Sequence, residues 1–285
     1  MKNNNIVSII IPTKNSERFL ENCLRSIKNQ SYKKIEVLII DGGSSYSTIE
    51  ISKKYKTKIL NYIPNVLRGK FDAPYKRNYG ARMAKGKYLY YVDADMELSK
   101  NVVKEAVELC HKNGVSAIII REDSFGKGIW AKAKNLEKRC YWGDDTQEAP
   151  RFFLSSVWKK LGGLDEGLGG GGDDWDLYQK LLEEGYSVGR IKSIVKHNEG
   201  DLRLKHLIKK RFMYGRDSLK YIKKRPTAAF KSYSPLRIGY FKNWKLIINR
   251  PVDAAALIIM RVAEYSSGFA GILYSLIKNE KFLEE

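Results

Sequence analysis

The sequence has little cysteine and histidine and no long hydrophobic run. Its 285 residues include three cysteines and three histidines. The cysteines lack the close paired spacing of zinc sites or disulfide frameworks, so we expect a reducing, intracellular setting. Residues 265–277, the longest uncharged apolar stretch near the C terminus, fall short of the roughly 18 residues that a membrane span requires. The N-terminal apolar run, residues 6–11, is too short for a signal-peptide core. The sequence therefore predicts neither secretion nor a membrane span.

Acidic residues are also few. There are 32 Asp and Glu against 52 Lys and Arg, which gives a formal net charge of +20. Residues 201–250 hold 15 of the basic residues and only two acidic ones. Apolar residues recur there at helical spacing, from Leu204 to Leu219. We therefore predict two domains: an N-terminal domain over residues 1–200 and a basic, amphipathic helical region over residues 201–285.

Three explanations of the basic region stay open. It suits a helix in an anionic membrane interface, where each basic group adds about 1 kcal/mol. It also suits a solvated helix face whose apolar side packs on the first domain. Nucleic-acid binding is the third, but no helix-turn-helix, RNA-binding aromatic signature or zinc module accompanies the charge. Because residues 252–277 carry Asp253, Arg261 and Glu264, we favour surface-lying helices, peripheral membrane attachment and no nucleic-acid partner.

Short β-branched runs alternate with helical patterns through the first half of the chain. We predict strands over residues 7–11, 35–40, 58–62, 87–92 and 115–120, and helices after the first and the fourth. This alternation indicates βαβ units and an α/β fold with a mostly parallel sheet. After residue 126 the pattern becomes irregular. Residues 151–154 then predict a strand of different orientation, so we expect a mixed sheet.

Acidic residues follow two of the predicted strands. Asp41 ends the second strand, and Asp93 and Asp95 follow the fourth, at the sheet edge where open α/β folds bind ligands. At strand spacing Asp93 and Asp95 face the same side, roughly 7 Å apart. Such a pair can hold a divalent cation against a diphosphate. The alternatives are a solvated turn with a helix-capping Asp at residues 93–95 and an Asx turn at Asp41.

Six short motifs carry a family resemblance when taken together. In their order and spacing the chain resembles glycosyltransferase family 2, whose nucleotide-sugar-binding domain has the GT-A fold, a Rossmann-like domain with a mixed central sheet. The departures are Gly42 where the family often has a second Asp, Asp173 for Glu, and Lys180 for Arg; the last two keep the charge. The motifs are V-S-I-I-I-P-T-K-N at residues 7–15, I-I-D-G-G-S at 39–44, R-N-Y-G at 77–80, D-A-D at 93–95, L-G-G-L-D-E at 161–166 and D-D-W-D-L at 173–177.

The resemblance implies roles for the matching residues of the first three motifs. Pro12 and Thr13 would line the nucleotide pocket. Asp41 would accept a hydrogen bond from the base, and Arg77 would lie near the nucleotide.

The later motifs would supply the metal and acceptor sites. The resemblance implies that Asp93 lies near the ribose or the metal and that Asp95 is the principal ligand of Mg²⁺ or Mn²⁺. The family often places a histidine after the alternating segment 187–195, which makes His197 a further metal ligand, since a neutral imidazole is competent for this. Asp173 and Trp175 would bind substrate.

Asp174 is the candidate general base. An acceptor hydroxyl must lose its proton as it attacks the anomeric carbon, and a positioned carboxylate can accept that proton. The four glycines at residues 169–172 predict a loop that opens for the acceptor and closes over the donor. Alternatively, Asp173 or Asp174 caps the following helix, a role that is compatible with catalysis.

Taken together, these features predict an inverting, metal-dependent hexosyltransferase. The donor would be a GDP- or UDP-hexose, and the acceptor a hydroxyl of a lipid-linked saccharide or other glycan. The enzyme would be peripheral, at the cytoplasmic face of the cell membrane. Because an ionised phosphate needs no base, transfer to a polyprenyl phosphate is an alternative, and a non-enzymatic basic protein that binds nucleic acid is another.

Overall fold

The computed structural model describes residues 5–63, 71–168 and 172–281. The chain divides into two compact units. The first unit comprises Met1–Glu122, Ala149–Glu166 and Leu177–Asn198, and the second comprises Asp123–Glu148, Gly167–Asp176 and Glu199–Glu285. The second unit thus adds two earlier segments to the C-terminal region. The domain boundary near residue 200 stays a prediction.

The described residues form eight strands and twelve α-helices, which are joined by loops. The strands are β1 (Val7–Thr13), β2 (Ile35–Asp41), β3 (Lys58–Asn61), β4 (Tyr88–Tyr91), β5 (Met96–Leu98), β6 (Ala117–Lys127), β7 (Phe152–Leu154) and β8 (Val188–Asp201). The helices are α1 (Glu17–Lys28), α2 (Tyr46–Lys54), α3 (Ala73–Met83), α4 (Val102–Asn113), α5 (Gly128–Cys140), α6 (Ser155–Lys160), α7 (Asp173–Glu183), α8 (Leu204–Lys224), α9 (Pro226–Tyr233), α10 (Ile238–Lys242), α11 (Trp244–Ile248) and α12 (Pro251–Lys281).

The strands form one mixed sheet in the order β3-β2-β1-β4-β7-β6-β8-β5. Strand β1 runs parallel to β2 and β4, and β2 runs parallel to β3. Strand β7 is antiparallel to both β4 and β6, and β5 is antiparallel to β8. The predicted α/β fold with a mixed sheet is therefore confirmed, including the changed orientation of the strand near residues 151–154.

The parallel part of the sheet is covered on both faces, which explains the apolar run of residues 9–11 in β1. Alternate residues of β1 point to opposite faces. Ile9 packs in one apolar cluster with residues of α1 and α4, such as Leu24 and Val103. Ile10 packs in another, with residues of α3, α6 and α7, such as Leu177. The two layers hold the loops at the strand ends on a rigid support.

The second unit is built around α5, α8 and α12. Helix α5 differs from the irregular stretch that the sequence predicts after residue 126. Its buried residues include Ala131, Ala133, Leu136 and Cys140, most of which are small. Small residues at these positions give a weak apolar pattern, although they let α12 approach closely. The sequence pattern therefore missed this helix because its buried residues are small, and not because their spacing is wrong.

Helix α12 also departs from the sequence expectation. Of the helices in the described residues, it is the one that is long and apolar enough to cross a membrane, by length and composition alone. One third of its most apolar window is buried inside the protein. The charged residues that argue against a span in the sequence lie on this buried side, as described below.

Candidate functional site

The carboxyl ends of the parallel strands carry most of the predicted site in the first unit. Thr13 ends β1 directly opposite Asp41, which ends β2. Asp93 follows β4, the other parallel neighbour of β1. Because parallel strands end at the same edge, the backbone brings these side chains to one rim of the sheet.

Asp41 is held by three hydrogen bonds. The Thr13 hydroxyl donates to Oδ1 at 3.1 Å, and the backbone N–H groups of Gly43 and Ser44 donate to Oδ2 at 3.0 and 2.9 Å. Burial alone would raise the pKa of Asp41, but bonds from Ser44, Thr13 and Gly43 outweigh it and lower the pKa. The Asx-turn interpretation is therefore correct. Recognition of a nucleotide base by Asp41, and the lining role of Pro12 and Thr13, stay predictions.

The space beside Gly42 is filled by the side chain of Lys76. The Lys76 Nζ donates to the Thr13 carbonyl at 3.1 Å and forms an ion pair with Asp72 at 2.7 Å. A Cβ on Gly42 would lie 2.3 Å from that nitrogen. The Lys76 side chain is only 2% exposed, so it has little room to move. A buried ammonium thus occupies the place that an acidic side chain would need.

Two arginines clamp Asp93. Arg77 on α3 contacts Oδ1 at 2.7 Å, and Arg151 contacts Oδ2 at 3.0 Å. Burial alone would raise the pKa of Asp93, but the charges of Arg77 and Arg151 outweigh it and hold the pKa well below its ordinary value. Arg151 also forms a 3.0 Å ion pair with Glu122. Sequence reasoning missed Arg151 and Glu122, which no motif marks; Arg151 reaches Asp93 because antiparallel β7 lies beside β4.

Asp95 lies in a turn next to His197. The Met96 N–H donates to the Asp93 carbonyl at 3.0 Å, so the expected strand spacing of Asp93 and Asp95 is wrong. Strand β8 extends past the predicted segment and places His197 opposite Met96. The imidazole Nε2 lies 3.2 Å from Asp95 Oδ2. The other oxygen, Oδ1, is buried and has no hydrogen-bond partner within the part of the chain that the structure describes.

This pair fits one side of a divalent-cation site. A carboxylate oxygen without a hydrogen-bond partner and a neighbouring imidazole nitrogen are competent ligands for Mn²⁺ or Mg²⁺. Within residues 5–63, 71–168 and 172–281, no group of three or more acidic, histidine or cysteine side chains forms a complete cage. Both oxygens of Asp93 contact arginines, so its predicted role as a metal ligand stays a prediction.

The D-D-W-D motif opens α7, and its four residues belong to the second unit. Asp173 is buried, Asp174 is half-buried, and both lie in the first helical turn, where the helix dipole favours negative charge. The Trp175 ring packs against Tyr221 and Tyr233, at centroid distances of 6.1 and 5.6 Å. Position in the first turn is consistent with helix stabilisation, and the catalytic and substrate-binding roles stay predictions. Gly169, Gly170 and Gly171 of the predicted loop lie outside the described residues.

Asp176 completes this motif and is fully buried. It forms ion pairs with Lys224 and Arg225 of the second unit, both at 2.9 Å. The motif contains Asp176 but indicates no role for it, because its partners lie almost fifty residues further along the chain.

Comparisons with known proteins agree with this architecture. A family profile described as Glycosyl transferase family 2 matches residues 8–165, more than half of the chain. Poly(ribitol-phosphate) beta-N-acetylglucosaminyltransferase TarS of Staphylococcus aureus is 30% identical over 126 residues, which cover 43% of this chain and 22% of TarS. The match therefore spans less than a quarter of the length of that relative.

Two solved structures share the fold. The crystal structure of S. aureus TarS 1-349 in complex with UDP-GlcNAc has a TM-score of 0.58 at 15% identity, covering 94% of this chain and 90% of that one. The mannosyltransferase PcManGT from Pyrobaculum calidifontis, in complex with GDP-Man and Mn²⁺, has a TM-score of 0.61 at 18% identity, covering 95% and 86%. With the profile match, the sheet topology and the rim of charged residues, the chain belongs to glycosyltransferase family 2 and has the GT-A fold.

Proposed function

We propose that this chain transfers a hexose from a nucleoside diphosphate sugar to an acceptor hydroxyl, with inversion at the anomeric carbon. The carrying observation is the rim of the sheet. There Arg77 and Arg151 fix Asp93, and beside His197 a buried oxygen of Asp95 has no hydrogen-bond partner among the residues that the structure describes. Donor binding at such a rim follows the general rule for open α/β sheets. The complexes of two fold neighbours with UDP-GlcNAc and GDP-Man support a UDP- or GDP-hexose as donor.

Asp95 and His197 would hold the divalent cation. When bound, the cation neutralises the charge that develops on the departing nucleoside diphosphate. Asp95 and His197 offer an oxygen and a nitrogen from one side, which leaves the other coordination positions to phosphate oxygens and water. Arg77 and Arg151 keep the Asp93 carboxylate ionised and fixed next to this position, which preorganises the rim before the donor enters. A fold neighbour in complex with Mn²⁺ supports manganese as the first cation to test.

Asp174 would be the general base. Its carboxylate takes the proton from the acceptor hydroxyl as the oxygen attacks the anomeric carbon, and the nucleoside diphosphate leaves with the electron pair of the broken bond. A base of this kind is needed for a hydroxyl but not for an ionised phosphate, so a hydroxyl acceptor is favoured over a polyprenyl phosphate. The name of TarS supports this class, because poly(ribitol phosphate) offers sugar-alcohol hydroxyls.

The acceptor would be a lipid-linked saccharide or another glycan presented at the cytoplasmic face of the membrane. The concentration of basic residues in 201–250 supports an anionic surface as the place of reaction.

Metal dependence and donor binding can be tested with one substitution. Asp95→Asn removes the anionic ligand and keeps the side-chain size, so we expect transfer to fall by at least roughly 100-fold. The thermal stabilisation that UDP or GDP gives in the presence of Mn²⁺ should be lost as well. Glu97→Gln, two residues further on, is the matched control and should keep both. Full activity of Asp95→Asn in a chelator would overturn the metal assignment.

The base is tested separately from the donor site. Asp174→Asn should suppress transfer to hydroxyl acceptors while the nucleotide-dependent thermal shift stays unchanged. Unchanged transfer to a hydroxyl acceptor by this variant would remove Asp174 as the base. Transfer by the unmodified chain to a polyprenyl phosphate but to no hydroxyl acceptor would show that the acceptor is the phosphate.

A further inference from the structure

Helix α12 has the opposite polarity from a surface helix of a water-soluble protein. From Val252 to Ile277, exposed positions recur every three or four residues, and none of them carries a charge. Val252 is 71% exposed, Ile258 65%, Val262 62% and Phe269 62%. We call this side of the helix the outer stripe. Its exposed positions are Val252, Ala255, Ile258, Ile259, Val262, Ser266, Phe269, Ala270, Leu273, Tyr274, Leu276 and Ile277.

The charged residues of α12 lie on its protein side. Arg261 pairs with Glu137 of α5 at 2.8 Å and with Glu264 at 2.7 Å. Arg211 of α8 reaches Glu264 at 3.2 Å. Burial alone would lower the pKa of Arg261, but Glu137 and its acidic neighbours raise it, so the ion pairs are maintained. The charged residues Arg261 and Glu264 are therefore paired within the protein. No described residue covers the apolar side chains of the outer stripe.

The helix pair α8 and α12 packs with its backbones in contact. A Cβ on Gly215 of α8 would lie 2.0 Å from the Gly268 carbonyl oxygen, and one on Gly271 would lie 2.2 Å from the Phe212 carbonyl oxygen. Close approach through small residues is characteristic of helices that associate next to lipid. Helix α8 is also rich in exposed lysines, including Lys209 and Lys210. A single span would carry this basic partner into the hydrocarbon, so a helix that lies in the interface fits the packing better.

The segment before α12 adds an aromatic and basic rim. Phe241 is 68% exposed and Trp244 is 53% exposed, and each is followed by an exposed lysine, Lys242 and Lys245. Helix α11 packs against α12, so this rim lies beside the start of the outer stripe. Tryptophan and lysine are favoured at the level of lipid headgroups.

The exposed apolar side chains are concentrated in this region. Of the 21 large hydrophobic residues that are exposed within the described chain, 15 lie between Phe230 and Ile277. Such a concentration of exposed apolar side chains is typical of an interaction surface.

We propose that the outer stripe of α12 inserts into an anionic lipid bilayer with the helix lying in the plane of the interface, and that Trp244, Lys242 and Lys245 contact the headgroups. The lysines favour a bilayer over a second copy of the chain, because self-association would bring like charges together, whereas anionic headgroups neutralise them. The predicted basic helix α8 is then an electrostatic neighbour of the inserted surface and not the inserted element. The proposal rests on the membrane location given under the proposed function.

Vesicle sedimentation of the full chain, without substrate, tests the insertion. We expect binding to phosphatidylcholine vesicles that contain phosphatidylglycerol, and at least roughly 10-fold weaker binding for Val262→Glu and Phe269→Glu. Both residues are exposed, so the fold should survive, as circular dichroism checks. Leu182→Glu, at an apolar position of the first unit that is 49% exposed, should bind as the unmodified chain does. Lys242→Gln with Lys245→Gln should weaken binding most at low salt.

Four outcomes would overturn the proposal or its in-plane orientation. The first is no binding to the vesicles that contain phosphatidylglycerol, and the second is binding that the glutamate variants leave unchanged. The third is a dimer in sedimentation velocity that Val262→Glu converts to monomer, which would assign the stripe to a second copy. Resistance to extraction at alkaline pH would contradict the in-plane orientation. The nucleotide-dependent thermal shift, measured on the same variants, shows independently whether the donor site of the proposed function exists.

Discussion

Asp176 is a buried carboxylate whose removal should destabilise the second unit and disturb the start of α7. It is 0% exposed and forms ion pairs with Lys224 and Arg225, both at 2.9 Å. Asp174, the candidate base, lies two residues earlier in the same helical turn. We predict that Asp176→Ala lowers both the free energy of unfolding and the rate of transfer.

The size of the effect follows from the burial of the two partners. Removal of one member of a buried ion pair costs about 3–5 kcal/mol, since the remaining charge stays uncompensated. Lys224 is 37% exposed and Arg225 18% exposed, so water can partly replace the lost carboxylate. We therefore expect the lower end, about 3 kcal/mol, which corresponds to a fall in Tm of roughly 6–12 °C.

Chemical denaturation followed by circular dichroism measures this change. The matched control is Asp201→Ala in the same unit, because the Asp201–Arg203 pair has the same 2.9 Å distance but side chains that are 49% and 59% exposed. An exposed pair contributes about 0–1 kcal/mol. Equal destabilisation by the two variants would refute the argument from burial. Asp176→Asn keeps the volume and one acceptor, so it should fall between the control and Asp176→Ala.

Three further predictions concern packing, charge and pH. Gly172→Ala should cost about 1–3 kcal/mol in denaturation, because its Cβ would lie 2.8 Å from the Tyr221 ring; an unchanged midpoint would contradict this contact. Arg151→Met should lower the free energy of unfolding by about 2–4 kcal/mol, since the charges of Asp93 and Glu122 lose one of their partners. Arg151→Lys should restore only part of this loss, because a single ammonium cannot replace a guanidinium that pairs with both carboxylates. Because the pKa of Asp93 is lowered in the folded state, the ionised Asp93 stabilises the fold above about pH 4, and this contribution is lost as the pH falls further. The free energy of unfolding should therefore depend less steeply on pH in Asp93→Asn.

Much of the fold could be predicted because the local signals and the tertiary structure agree. Strands β1 and β2 are rich in β-branched residues, and residues 7–11 and 38–41 are buried on both faces of the sheet. Helix α5 was missed because its contact face is made of small residues such as Ala131 and Ala133, whose apolar pattern is weak. Helix α12 was underestimated because its charges were counted without knowing which side they occupy. Periodicity shows that a helix has two sides but not which side faces the protein.

The candidate site was predictable in its positions more than in its contacts. The carboxyl ends of parallel strands meet at one edge, so the placement of Asp41 and Asp93 follows from strand order. Arg151 could not be found this way, because it reaches Asp93 through the antiparallel pairing of β7 with β4, which no local pattern encodes. The spacing of Asp93 and Asp95 was wrong for a related reason: the chain turns immediately after β4.

The contacts distinguish three anchored carboxylates of the motifs from Asp95. Asp41 accepts from Thr13 and two backbone N–H groups, Asp93 from two arginines, and Asp176 from a lysine and an arginine. An anchored carboxylate is a poor metal ligand, because coordination would first have to break charged hydrogen bonds. Asp95 differs, since its Oδ1 is buried without a hydrogen-bond partner in the described chain and its Oδ2 lies 3.2 Å from His197. The substitution Asp93→Asn should therefore weaken the rim and its stability while Mn²⁺ affinity changes less than in Asp95→Asn. Equal losses of Mn²⁺ affinity, measured by calorimetry with UDP present, would show that both carboxylates bind the cation directly.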